Sequence, residues 1–262
     1  MTERAPLPVR LVTFNVHHGV GDDGRHDLPR LARLLADVDA DLICLQEVDR
    51  RFGPRSEGVD QAELLSRALE MDLAWGPAID APGPAGSEDG GDRRQYGNAL
   101  LSRLPLLATE VHPLPGGGEP RSALRVQVGL TDGALWVTTT HLSSGSAADR
   151  ARQAAAVTEL QITAPGVLVG DLNADAGAPE LAALRERLSD AWQQAAARSD
   201  QGGRLSLHRE AGLTHPARRP RVRIDQVWVT GGVSVADARV LDGAGTSDHH
   251  PLLVDLLVTP ER

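Results

Sequence analysis

Apolar runs recur along the whole chain, several of them continuous rather than alternating: VRLVTF (9–14), DLICLQ (41–46), NALLS (98–102), ALRVQVGL (123–130), ALWVTTT (134–140), GVLVG (166–170), DQVWVT (225–230) and PLLVDLLV (251–258). Continuous runs bounded by turn-forming residues predict strands covered on both faces. Between them, apolar residues fall at helical spacing in LPRLARLLADV (28–38), DQAELLSRALEM (60–71), AADRARQAAAVTELQ (147–161) and APELAALRERLSDAWQQAA (178–196). The first carries proline at an early helical position, where its missing N–H costs nothing. DAPGPAGSEDGGDRRQ (80–95) and RSDQGGRLSLHREAGLTHPARRPRVR (198–223) read as long surface loops, a class usually functional or mobile. No repeat or linker divides the chain. The pattern predicts one α/β domain over residues 1–262, with mixed strands inside and helices outside.

The polar residues that interrupt this pattern sit at strand ends. Asn15, Glu47, His141, Asp171 and Asn173 are expected at or just past the C-terminal end of a strand, and Asp225, Asp248 and His249 at the start of one. Antiparallel neighbours place the start of one strand beside the end of another, so all eight could share a rim. In GDLNAD, Asp171 and Asn173 are two apart and would face the same side of an extended segment. Each residue alone reads as a turn former or cap; together they form an oxygen-rich donor set with imidazoles. Such a set suits Mg²⁺, Mn²⁺ or Ca²⁺ better than structural zinc.

Composition narrows the chemistry. With 41% apolar and 24% charged residues, 262 residues are ample for a soluble core, and 3% aromatics mean that Leu, Val and Ala must build it. The 27 basic residues are all arginine, which excludes Schiff-base and lysine-nucleophile mechanisms. A net charge of -9 argues against nonspecific coating of nucleic acid, although an arginine cluster or a bound cation can reverse the field inside a cleft. The single cysteine, Cys44, excludes an internal disulfide and suits a reducing compartment. No signal-peptide pattern and no membrane-length apolar stretch appears, so a cytoplasmic monomer without integral membrane association is expected. Zinc-protease and nucleophile-elbow spacings are absent from the sequence.

TFNV (13–16), LQEV (45–48), YGNALLSR (96–103), THL (140–142), GDLNA (170–174), IDQVWV (224–229) and SDHHPL (247–252) occur in this order. Together they resemble the motifs of the endonuclease/exonuclease/phosphatase superfamily, which includes deoxyribonucleases, AP endonucleases, sphingomyelinases, inositol phosphatases and deadenylases. The resemblance implies a four-layer αββα sandwich, two central mixed β-sheets flanked by helices. It implies that Asn15 and Glu47 bind a divalent cation, Mg²⁺ or Mn²⁺ with Ca²⁺ as a further candidate, that Asp248 assists, and that no organic cofactor is needed. His249 would be the general base or phosphate-binding histidine, oriented by Asp225. Asp171 and Asn173 would position the attacking water and the transition state. His141 would be a second phosphate-contacting histidine, where AP endonucleases carry tyrosine. Arg121 would contact phosphate, with Asn98 assigned to the substrate site beside it. The implied reaction is in-line attack of water with no covalent intermediate; the proton acceptor stays open between the His249–Asp225 pair and Asp171. His17, His18 and His250 receive no implied role.

The substrate is less constrained. Arg218, Arg219, Arg221 and Arg223 stand directly before Asp225 and read either as a phosphate clamp or as a solvated loop. Nucleic acid is the first expectation, with a small or lipid-derived phosphoester as the alternative. Negative charge and few aromatics weigh against the former, and the lack of an amphipathic membrane segment weighs against a lipid. A non-catalytic binding module of the same fold is the remaining reading.

Overall fold

The computed structural model describes residues 5–83, 93–161, 165–201 and 212–259, leaving aside the side chains of 199–201. Its strands are β1 (Leu7–Asn15), β2 (Leu42–Arg50), β3 (Asp72–Pro82), β4 (Arg93–Ser102), β5 (Leu106–Leu114), β6 (Arg121–Gly129), β7 (Ala134–His141), β8 (Gly166–Asp171), β9 (Ser189–Asp190), β10 (Asp225–Val229), β11 (Val233–Val240) and β12 (Leu252–Val258). They form two six-stranded sheets, in the orders β11-β12-β1-β2-β4-β3 and β5-β6-β7-β8-β10-β9. The helices are α1 (Leu28–Val38), α2 (Gln61–Leu69), α3 (Ala147–Leu160), α4 (Ala182–Arg187) and α5 (Ala191–Gln201).

The layers follow from which side of each strand is apolar. Val9, Leu11 and Cys44 of the first sheet meet Val126, Val137 and Val169 of the second in the central core. The opposite faces, Val12, Phe14, Ile43 and Leu45, pack under α1 and α2 through Leu31, Leu35 and Leu65. Ala123, Leu168 and Trp228 pack under α3 and α4 through Val157 and Leu184. This is the αββα order that the motifs implied. Three helices start on a side chain that takes a free N–H of the first turn: Asp27 from Arg30, Asp60 from Glu63 and Ser146 from Asp149.

The helix expected over 178–196 is broken. Leu188 is extended (φ −122°, ψ 159°), and Ser189–Asp190 pair with Trp228 and Val229 at the sheet edge before α5 begins. Asp190 causes the break: its carboxylate accepts the Trp192 N–H at 2.9 Å and a buried two-pronged ion pair from Arg223 at 3.1 and 2.5 Å. Trp192 and Ala195 then enter the core between the sheets instead of an outer layer. The expected loop over 80–95 is in part a hairpin, since Asp80–Pro82 pair with Arg93–Gln95; residues 84–92 of that loop, and 202–211 of the second, lie outside the described residues.

Two parallel pairs, β1/β2 and β7/β8, are each joined through a helix, α1 and α3 respectively. Between them Gln46 donates to Thr139 at 2.9 Å and Thr13 at 3.1 Å, a buried polar link between the sheets just below the rim. Strands β7 and β8 approach closely at Gly170 (φ +139°), where a Cβ would lie 1.9 Å from the Thr140 carbonyl oxygen. Only glycine fits there.

Candidate active site

Register alone assembles three of the eight expected rim residues. His141 pairs with Asp171 across β7/β8, and Asp171 pairs with Asp225 across β8/β10. Three chemical groups therefore stand side by side on adjacent strands. In the first sheet, alternation turns Leu11, Thr13 and Asn15 toward the second sheet, and the Asn15 amide donates to Asp171 Oδ2 at 3.0 Å.

Glu47 breaks that rule. It lies inside β2 rather than at its end, and alternation after the inward-facing Gln46 would send it to the helix side. The register shifts between Leu45 and Val48, and Glu47 takes a left-handed φ of 57°. This bulge re-aims the carboxylate onto the rim, where it accepts from Asn15 Nδ2 at 3.0 Å. Asn173 departs from expectation similarly. With φ 51° it is not extended; its N–H closes a turn onto Asp171 Oδ1 at 2.9 Å, and its amide reaches His141 Nε2 at 2.9 Å.

The segment before β12 is anchored by Ser247, which donates to the Asn15 carbonyl at 2.7 Å. His249 Nδ1 meets Asp225 Oδ2 at 2.8 Å, and its Nε2 lies 3.7 Å from Asp171 Oδ2. Asp248 stays half-exposed, with His17 Nδ1 3.8 Å from Oδ1 and His215 Nε2 3.9 Å from Oδ2. His250 points away and accepts the Gly243 N–H at 3.1 Å, a turn contact. Arg121 NH1 lies 2.9 Å from His141 Nδ1 and 3.1 Å from Glu119 Oε1. Guanidinium can only donate, so Nδ1 accepts from Arg121, while Nε2 faces the Asn173 amide nitrogen at 2.9 Å and Asp171 Oδ2 at 3.5 Å.

Burial separates the ionisation of these groups. Burial and the charge of Asp225 push Asp171 up to about 7. Burial would lower His249, but the charge and hydrogen bond of Asp225, with the charges of Asp171 and Asp248, raise it to about 10. Burial and the Arg121 charge push His141 down to about 3. Burial would raise Glu47, yet His18, His141 and Asn15 outweigh it and hold the carboxyl well below its usual range. Tyr96 is pushed up by burial and the Glu47 charge.

These residues open on a cavity of about 340 Å³ lined by Glu47, Arg121, His141, Asp171, Asn173, Asp248 and His249. Asn15 stands behind Glu47 and Asp171, and Asp225 behind His249. Asn98, expected at the substrate, is instead 2% exposed and donates to the Ser122 carbonyl at 3.0 Å, linking the sheets beneath Arg121. The cavity also takes His17, His18, Arg55, Tyr96 and His215, of which Arg55 and His215 had not been singled out. Both come from aperiodic segments, where only an isolated Arg or His marks them. The Arg55 guanidinium is held by Asp49 at 2.7 and 2.8 Å and lies 4.4 Å over the Phe52 ring. His215 packs against His249, 4.5 Å between ring centroids with the planes tilted by 40°.

Of the two readings of the arginine-rich segment, the phosphate clamp does not form at this cavity. Arg223 is buried in its pair with Asp190, Arg218 is drawn to Asp22 at 3.2 Å, and Arg219 and Arg221 are exposed outside the lining. The guanidiniums that do reach the cavity are Arg55 and Arg121, each positioned by a carboxylate.

Two groups of His and Asp could hold a metal ion among the described residues: Asp171, Asp225 and His249, and His215, Asp248 and His249. In the first, Asp225 and His249 already satisfy each other, while Asp225 Oδ1 is buried without a partner. Glu47 belongs to neither, yet its carboxyl, held well below its usual range, lines the cavity with the Asn15 carboxamide beside it. Hard-donor chemistry of that kind fits a divalent cation.

Residues 12–249 match the family model described as the Endonuclease/Exonuclease/phosphatase family. The chain is 27% identical to the uncharacterized protein YbhP of Escherichia coli, covering 94% of this chain and 95% of that one. It is similar in structure to an endonuclease/exonuclease/phosphatase from Beutenbergia cavernae, with TM-score 0.72, 27% identity, and coverage of 97% of this chain and 72% of that one. A mannosyl-6-phosphatase from Bacteroides thetaiotaomicron shares the fold at TM-score 0.70 and 19% identity, covering 95% of this chain and 99% of that one.

Proposed function

Because the chain belongs to the Endonuclease/Exonuclease/phosphatase family, whose members are typically metal-dependent phosphoesterases, we propose that it hydrolyses a small or terminal phosphoester by in-line attack of water. One observation carries this reading: a carboxylate-paired histidine, a carboxylate poised near neutrality, an ionised carboxylate–carboxamide pair and two positioned guanidiniums open on a single cavity.

Each group has a task that its surroundings suit. Arg121, His141 and His249 face the space a phosphoryl group would occupy, and the His249 imidazolium attracts its oxygens. Asp171, with its pKa near 7, is the proton acceptor for the attacking water. His249 is too basic for that role at neutral pH, so of the two acceptors left open by the motifs this reading takes Asp171. Asn173 fixes Asp171 and His141 relative to each other. A divalent cation at Asn15 and Glu47, with Asp248 near, would neutralise a phosphoryl oxygen and the charge developing on the leaving group.

A compact substrate is favoured because the arginines that could have followed a nucleic-acid backbone are partly tied into structural pairs, and Glu119 stands at the mouth. Nuclease action is the second reading, supported by exposed Arg219 and Arg221 in the segment that carries His215. Metal-depleted protein restored with Mg²⁺ or Mn²⁺ should cleave bis(p-nitrophenyl) phosphate or p-nitrophenyl phosphate and leave supercoiled plasmid intact. Plasmid nicking lost in His249→Ala would move the assignment to a nuclease. Folded protein inert toward all three with either metal would sink the hydrolase reading.

A further inference from the structure

The motif NVHHG presents two adjacent histidines that the proposed reaction leaves unused. Both take left-handed backbone, His17 with φ 45° and His18 with φ 44°, uncommon for residues with a side chain and held only where the surroundings demand it. The demand is visible. The His17 N–H donates to Asn15 Oδ1 at 3.0 Å, and Gln61 Nε2 donates to the His18 carbonyl at 2.7 Å. The two rings then meet edge to face, 4.4 Å between centroids.

This turn aims one imidazole at each of two carboxylates. His18 Nδ1 lies 3.8 Å from Glu47 Oε2, and His17 Nδ1 lies 3.8 Å from Asp248 Oδ1. Both Nδ1 atoms are buried without a hydrogen-bond partner. Separations of 3.8 Å are too long for a hydrogen bond, and buried ring nitrogens are rarely left unsatisfied. The spacing instead suits two donors of one ion: bonds of about 2.1 Å set neighbouring donors about 3 Å apart and opposing donors about 4.2 Å apart. Asn15 has already spent an acceptor site on the His17 N–H, so Glu47 needs further donors.

We propose that His18, 3.8 Å from Glu47, is a ligand of the cation held there, with His17 beside Asp248 at the edge of that site, so that imidazole and carboxylate together select a first-row transition ion such as Mn²⁺ over Mg²⁺. The inference rests on the reading that a divalent cation binds at Glu47. Mg²⁺ prefers oxygen donors and retained water, whereas imidazole nitrogen strengthens binding along the first transition row.

The test is metal binding by the full-length, metal-depleted protein, with Mn²⁺ followed by electron paramagnetic resonance and Mg²⁺ by calorimetry. The variants are His17→Asn/His18→Asn, which retains a residue at ease in left-handed backbone, the corresponding double glycine variant, and Glu47→Gln. Wild type should show nitrogen hyperfine coupling to bound Mn²⁺. Both double variants should lose coupling and bind Mn²⁺ at least about tenfold more weakly, with Mg²⁺ affinity nearly unchanged. Mn²⁺ bound in a Glu47-dependent manner, but with no nitrogen coupling or with coupling and affinity that survive both double variants, would overturn the histidine assignment and leave the reading at Glu47 standing. Failure of wild type to bind either ion would overturn both.

Discussion

The two parallel strand pairs are built alike, strand, helix and strand, yet they deliver opposite electrostatics to the same rim. At β7/β8 and the adjoining β10, His141, Asp171 and Asp225 are almost completely buried, and burial raises the Asp171 pKa to about 7 while it lowers that of His141 to about 3. At β1/β2, Glu47 keeps 22% of its side chain exposed and, surrounded by donors, stays ionised. In the proposed reaction one sheet would therefore prepare proton transfer and the other would hold fixed negative charge for a cation. The difference lies in depth: a carboxylate sealed beside another carboxylate resists ionisation, whereas one facing imidazoles, a carboxamide and solvent does not.

The sharpest way to break this comparison is on the buried side. His249→Ala should lower kcat by about 10²–10³-fold in phosphodiester or phosphomonoester hydrolysis. It should also weaken the fold, because Asp225 is left buried without its partner. The sign of that effect is defined. The folded His249 pKa is raised from 6.5 to about 10, so its stabilisation is complete below about 6.5 and lost as pH rises through about 10. Urea unfolding of metal-free protein should show a gap between wild type and His249→Ala near about pH 6 that closes above about pH 10. A gap that widens with pH would refute the pairing.

Asp171→Asn tests the proton acceptor. Wild-type kcat/KM should rise as Asp171 loses its proton, at a pH below the metal-free value of about 7 because a bound cation favours the carboxylate, and fall again as His249 loses its own. The variant should lose about 10²-fold in kcat together with the rising limb; a limb that persists assigns proton acceptance elsewhere. On the other sheet, Glu47→Gln should weaken metal affinity about 10–100-fold while the melting temperature of metal-free protein stays nearly constant. Unchanged metal affinity would remove Glu47 from the cation site.

Two arginines sharpen the contrast at smaller scale. Arg223→Ala leaves Asp190 buried and unpaired, which costs about 3–5 kcal/mol of stability with little effect on KM, as read by chemical denaturation and steady-state kinetics. Arg218→Ala breaks an exposed pair with Asp22 worth about 0–1 kcal/mol and should change neither measurement. A large KM increase in either would restore the phosphate-clamp reading.

The eight strands read from the chain, β1, β2, β4, β6, β7, β8, β10 and β12, are the interior strands of the two sheets. Those not anticipated, β3, β5, β9 and β11, are the four edges. Interior strands are covered on both faces and must be continuously apolar. Edge strands are shielded on one face at most, as in β5 with its strict alternation of half-buried and exposed residues, and they tolerate proline, as at Pro77 and Pro82 of β3. The site divides the same way. Asn15, His141, Asp171, Asp225 and His249 could be found at strand ends because they punctuate apolar runs. Arg55 and His215 could not, since neither belongs to a periodic segment, and Arg223, which reads as either clamp or solvated loop, is neither, because its partner Asp190 is far away in sequence.

The order of apolar runs determined an α/β domain whose strands are covered on both faces, and the motifs spaced along it, through the family they resemble, implied the two-sheet sandwich and marked which chemical groups reach the rim. Tertiary structure alone decided where those groups point and how they ionise. Period-two alternation cannot register the bulge that turns Glu47 back to the rim, nor the left-handed turn that brings His17 and His18 to face carboxylates. A pKa, likewise, is set by burial and by charges from strands distant in sequence, quantities that exist only once the two sheets have closed on each other.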